Sequence, residues 1–146
     1  MIIRPYDPAH LQAAASLWIA SARSNGLPAA ELGITAAALA DRLPGEIAGG
    51  WDVFLGWRDE ALVGFLALAP TTACLEQIFV LPDAQGRGHG ARLLDFAKAR
   101  MPDGLWLWTR LDNHGARRFY ERHGLRAEET APHPRRGYLR VRYRWP

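Results

Sequence analysis

A glycine-punctuated stretch, Gln85-Gly86-Arg87-Gly88-His89-Gly90, constrains this chain more than any other feature because of what flanks it. Before it, Cys74 to Val80 (CLEQIFV) is a β-rich run closed by Leu81-Pro82. Behind it, Gly90, Leu93, Leu94, Ala97 and Met101 recur at helical spacing until Pro102. Strand, glycine turn and helix in that order gather backbone N–H groups at a helix N-terminus, with no side chain at Gly86, Gly88 or Gly90 to keep a ligand away. Unpaired donors and the helix dipole both favour an anion there. The segment is a candidate phosphate or pyrophosphate site, with His89 at its border.

The remaining elements fall around it. Residues 2–6 read as a strand, and Leu11, Ala14, Ala15, Trp18 and Ala22 as a helix that Asp7 can cap. Thr35 can cap a second helix through Ala38, Leu39, Arg42 and Leu43, ended by Pro44-Gly45 and Gly49-Gly50. Residues 51–57 and 61–69 read as an antiparallel hairpin closed by Arg58-Asp59-Glu60. After the glycine helix come a strand over 105–110 and a helix capped by Asn113, with Ala116, Phe119, Tyr120 and His123 on one face and Gly124 beyond its end. The chain closes with 125–127, a loop at 131–137, and a strand in which Leu139, Val141, Tyr143 and Trp145 alternate with Arg140, Arg142 and Arg144. One face of that strand is therefore apolar and the other basic. With 146 residues, 49% of them hydrophobic, and no separating linker, residues 1–146 are expected to form a single domain.

Three phosphate-loop patterns compete for the glycines. The Walker pattern fails, since no Lys follows them. Gly86 to Ala91 satisfies G-x-G-x-x-A, the dinucleotide fingerprint, but that fold needs repeated right-handed strand–helix–strand units, and here a hairpin precedes the loop. The third pattern, Q-x-x-G-x-G after a strand ending V-x-P, agrees with what lies downstream.

In Ile78 to Pro82, Gln85 to Gly90, Asn113 to Ala116, Phe119-Tyr120-Glu121-Arg122 and Gly124-Leu125 the sequence resembles the GNAT superfamily of acetyl-CoA-dependent N-acetyltransferases. The resemblance implies an α/β (α+β) fold: a mixed, twisted, mostly antiparallel sheet with splayed central strands, flanked by about four helices. It implies that Gln85, Gly86, Arg87, Gly88, His89, Gly90 and Ala91 hold the pyrophosphate of acetyl-CoA. Backbone groups of Ile78, Phe79 and Val80 would pair with the pantetheine arm, and Asn113 would contact that arm or cap its helix. Tyr120 would be the general acid. The partners are acetyl-CoA, as co-substrate, and an amine acceptor.

Acyl transfer to an amine needs a neutral amine, a polarised carbonyl and a protonated leaving thiolate. Some relatives carry a Glu on the strand before Asn113, whereas Trp106 to Arg110 holds no carboxylate. Glu76 is the candidate base in its place, and strict alternation would set it on one face with Ile78 and put Phe79 on the other. Lone Cys74 reads as an apolar filler rather than a nucleophile, and it suits a reducing, cytoplasmic setting. The five histidines show no metal spacing, and no metal is expected. No run reaches the roughly 18 apolar residues of a membrane span.

Charge is uneven. Residues 1–109 hold 8 basic and 11 acidic side chains, residues 110–146 hold 10 and 4. The alternative function is thus a nucleic-acid-binding or regulatory module using the basic C-terminal quarter. Alternation separates its aromatic residues from its arginines, which disfavours nucleic acid. The acceptor is expected to meet the region around 23–50 and the loop 128–137, where Arg135 and Arg136 invite an acidic or phosphorylated acceptor although loop arginines are usually just solvated, and Trp145 with the terminal strand offers an edge for a homodimer.

Overall fold

Period-two alternation along the strands decides where each helix layer sits. The computed structural model describes residues 1–146 and runs β1 (Ile2–Pro5), α1 (Leu11–Ser24), α2 (Ala36–Ala48), β2 (Asp52–Arg58), β3 (Ala61–Ala69), β4 (Cys74–Val80), α3 (His89–Arg100), β5 (Leu105–Arg110), α4 (His114–Arg122), β6 (Arg126–Pro132) and β7 (Leu139–Trp145). The strands form one seven-stranded sheet in the order β1-β2-β3-β4-β5-β7-β6. Every pairing is antiparallel except β4 with β5.

In β2 and β3, Val53, Leu55, Phe65 and Ala67 turn to the side covered by α1 and α2, the front. Phe54, Leu66 and Leu68 turn to the back, where α3 contributes Leu93, Leu94 and Ala97. Both faces being covered, β3 reads as a nearly continuous apolar run rather than an alternating one. The front cluster centres on Trp18, stacked on Phe65 at 5.5 Å. The back cluster continues across to Leu105 and Leu107 of β5 and Val141 and Tyr143 of β7. Complete burial of leucines such as Leu43, Leu55 and Leu66 contributes about 1.5–3 kcal/mol each.

Three elements differ from the sequence reading. Of the two expected breaks in helix α2 only Gly49-Gly50 ends it; Pro44 is carried inside and the helix runs to Ala48. Leu39, Ala40 and Leu43 bury against the front cluster and Ile47 adds to it, which outweighs the one helical hydrogen bond that proline removes. β6 is a full strand rather than a three-residue stub, and its outer position explains why Arg126 to Pro132 shows no apolar alternation. β7 lies between β5 and β6, so the terminal strand is not the free edge on which a homodimer was expected; β6 is.

Candidate active site

β4 and β5 share one aligned pair, Cys74 with Trp106. Trp106 N donates to Ala73 O at 3.1 Å, and Trp106 Nε1 to Thr72 O at 2.8 Å, which fastens this end. Beyond it the two strands separate and a cavity of about 570 Å³ opens on the front face. Glu76, Ile78 and Phe79 from β4, Asn113 and Tyr120 from α4 and its approach, and Trp106 to Arg110 from β5 all line it.

Backbone hydrogen bonding fixes what β4 shows the cavity. Leu81 N donates to Val63 O at 2.8 Å, and antiparallel alternation then turns Phe79 and Gln77 towards β3. The backbone groups of Ile78 and Val80 turn to the gap. Of the three residues expected to pair with the coenzyme arm, Phe79 thus has its backbone engaged by β3, and its ring packs with Trp18 at 6.2 Å. The Val80 carbonyl is also engaged, by Ser21 Oγ and Gln85 Nε2, each at 3.0 Å. A carbonyl has two lone pairs, so Ile78 N–H, Ile78 C=O and Val80 N–H are the groups left for a ligand. Ser21, completely buried on α1, was not anticipated; a serine on the apolar face of that helix was the available signal.

A β-bulge interrupts β4: Leu68 opposes Leu75 while Ala67 opposes Gln77, leaving Glu76 as the extra residue. The bulge breaks the alternation expected between Glu76 and Ile78. Leu75, Ile78 and Val80 all pack in the back cluster, Phe79 in the front one. Exposed Glu76 lies beside the Cys74 thiol and lines the cavity. Burial, with Glu76 second, pushes that thiol well above its ordinary range, so Cys74 remains a protonated thiol.

At the far end of β4 a 3₁₀ turn over Pro82–Ala84 leads into the glycine loop. Gly86 and Gly88 take φ of 77° and 81°, and a Cβ on either would project into open space. Gly88 caps α3 without a side-chain acceptor, leaving the first-turn N–H groups of His89, Gly90 and Ala91 available. Gly90 differs: a Cβ there would sit 3.4 Å from the Phe119 ring, so its smallness serves the packing of α3 on α4. Gln85 ties the loop to Val80, and Arg87 is exposed on it. The His89 ring does not border the loop as expected but is buried, only 8% exposed, with Nε2 unpartnered. Burial, then the N-terminus, Arg58, Arg87 and Arg92, lower its pKa; His89 offers the loop its backbone N–H.

Asn113 Oδ1 accepts from Ala116 N at 3.2 Å, capping α4 while the residue lines the cavity. Two turns on, Tyr120 is buried against Phe119 and Tyr143, with ring centroids at 5.5 and 5.7 Å. Burial, then Tyr143, raises the Tyr120 phenol above its ordinary value.

A mixed sheet opened between two parallel strands, with free N–H donors at the end of the first and a phenol on the helix after the second, is the architecture of one class of protein. The chain belongs to the acetyltransferase (GNAT) family, whose pattern it matches over residues 15–125. An uncharacterised N-acetyltransferase of Methanocaldococcus jannaschii is 37% identical over 71 residues, 46% of this chain and 30% of that protein. The chain thus spans under a third of that relative. The fold is that of an acetyltransferase from Thermus thermophilus, with TM-score 0.77, 22% identity and 99% and 96% of the two chains covered. It is also that of PaiA N-acetyltransferase from Thermoplasma acidophilum in complex with coenzyme A, with TM-score 0.75, 17% identity and 97% and 96% covered. No helix is long and apolar enough to cross a membrane.

Proposed function

We propose that the protein is an N-acetyltransferase that moves the acetyl group of acetyl-CoA directly to a primary amine of a small molecule or protein, with both substrates bound at once. The observation that carries this reading is the gap between β4 and β5, with free N–H donors of the glycine loop at one end and Tyr120 beside it. Acetyl-CoA supplies an activated acyl group as a thioester. The chain's residues do the rest. Loop N–H groups from Gly86 to Ala91, with Arg87, hold the pyrophosphate, and Ile78 and Val80 pair with the pantetheine arm. A β4 N–H polarises the thioester carbonyl. The amine nitrogen forms the new C–N bond as the C–S bond breaks; Glu76, directly or through water, takes the amine proton, and Tyr120 returns one to the departing sulfur. The products are an amide and the free thiol of coenzyme A.

A cytoplasmic setting, where acetyl-CoA is available, suits this reading. The basic C-terminal strand gives the nucleic-acid alternative little support, because Glu128 and Glu129 neutralise Arg142 and Arg144. An amine panel followed by thiol release, with a salt-dependent gel shift alongside, tests the two readings. Amine-dependent thiol release without nucleic-acid retention is expected; retention with no thiol released from any amine overturns the acetyltransferase reading.

A further inference from the structure

The wall of the cavity facing away from β4 carries more positive charge than its neighbours neutralise. Arg110 and Arg140 stand directly opposite one another across β5 and β7, and like charges in that position destabilise a sheet. Further along β7 carboxylates meet the arginines: Arg142 reaches Glu128 at 2.9 Å and Glu129 at 3.2 Å, and Arg144 reaches Glu128 at 2.6 Å. Arg110 pairs with Asp112 at 3.1 Å, and Arg42 on α2 with Glu46 at 3.3 Å. Arg136 and Arg140 meet no carboxylate. Arg136 Nη1 donates to Leu32 O at 3.0 Å, while Arg140 lies over Trp108 at 4.1 Å with Nε buried and unpartnered. A buried N–H without an acceptor costs free energy, and the guanidinium of Arg140 makes no hydrogen bond within the chain. All four arginines line the cavity, and Glu76 is the one carboxylate that does.

We infer that this end of the cavity is an anion subsite, built by Arg136 and Arg140 with Arg42 and Arg110 around them, and that the acceptor is a small amine also bearing a carboxylate or phosphate group. The inference rests on the acetyl-transfer reading above. Guanidinium forks match both anions in bidentate geometry. His133 reports the same field: burial, then Arg140, Arg136, Arg135 and Arg42, lower its pKa. Its Nδ1 accepts from Arg135 N and Arg136 N, both at 3.1 Å, which leaves the proton on Nε2 as a further donor on the cavity wall.

The test compares matched pairs of acceptors, L-phenylalanine with 2-phenylethylamine and O-phosphoethanolamine with ethanolamine, at equal concentrations of neutral amine. The anionic member of at least one pair should show kcat/KM about ten- to a hundredfold higher, and the pair that responds identifies carboxylate or phosphate. Arg140→Gln and Arg136→Ala should each shrink that ratio; Arg136 sits on an exposed loop, so its variant keeps the test readable if the strand variant fails to fold. Thiol release with equal or poorer use of both anionic members overturns the subsite and leaves acetyl transfer standing. Calorimetry on the coenzyme-A-loaded protein reads the subsite without chemistry. Heat from L-phenylalanine or O-phosphoethanolamine and none from its neutral partner supports it even if no thiol is released, the failure then falling on acetyl transfer alone; no heat from either anion, with no thiol released, overturns both.

Discussion

Burial, then Tyr143, holds the Tyr120 phenol above its ordinary value, so the side chain is protonated throughout the neutral range, as the proton donor proposed above has to be. Tyr143, its neighbour, is committed elsewhere: its hydroxyl accepts from Arg117 Nε at 3.1 Å and donates to Glu121 Oε2 at 2.9 Å. Tyr120→Phe keeps the ring that packs and removes only the proton, so coenzyme affinity should hold while kcat falls about 10²–10⁴-fold. A parent-like rate across the pH range would leave Tyr120 a packing role alone. The base role proposed for Glu76 makes a different demand, since it ends once the amine is neutral. Glu76→Gln should lower the rate most near neutral pH, and the loss should shrink at high pH, where the acceptor has already shed its proton. Superimposable pH–rate curves for parent and variant would move the base elsewhere.

Among the elements, the loop before α3 is the one whose conformation a single side chain would spoil. With φ of 81° at Gly88, a β-branched residue is strained by about 1–2 kcal/mol, and its side chain would project into the space in front of the loop. Gly88→Val should therefore abolish the thermal shift on adding acetyl-CoA while the rest of the fold persists. Unchanged coenzyme affinity in that folded variant would remove the pyrophosphate from the loop. This element, α4 with its Asn113 cap, and the hairpin of β2 and β3 were legible in the sequence because each is punctuated locally, by glycines, a capping side chain or a polar turn. What was not legible depends on distant partners. Pro44 inside α2 is tolerated through contacts with α1 and the front cluster, the bulge at Glu76 exists only relative to β3, and the edge position of β6 follows from β7 inserting beside β5. Arg136 was legible as a loop arginine inviting an acidic acceptor, but its company was not, since Arg42, Arg110 and Arg140 come from separate stretches of chain and meet it only around the cavity.

For the molecule as a whole, His89 and His133 couple stability to pH. His89 is kept neutral in the folded state by burial and four surrounding positive charges, so the unfolded chain takes up its proton first. The stability that depends on neutral His89 is present above about pH 6.5 and is lost as pH falls towards the lower folded-state value. His133 acts with the same sign. Thermal unfolding from pH 8 to 5.5 should show a falling Tm whose slope flattens in His89→Gln; an unaltered slope would place the coupling on other groups. The sheet has a second property of this collective kind. Because β4 and β5 are joined by one rung at Cys74 and Trp106, the chain contains two strand edges in the middle of its own sheet that face the cavity rather than each other. Such amides exchange with solvent without any opening of the fold, so Ile78 and Val80 should lose their hydrogens to deuterium orders of magnitude faster than Phe79 between them, and should slow sharply once coenzyme A lies alongside. The pairing proposed for the coenzyme along β4 would show as alternating protection over these three consecutive residues; equal exchange at all three would show that the rungs are not what holds the coenzyme.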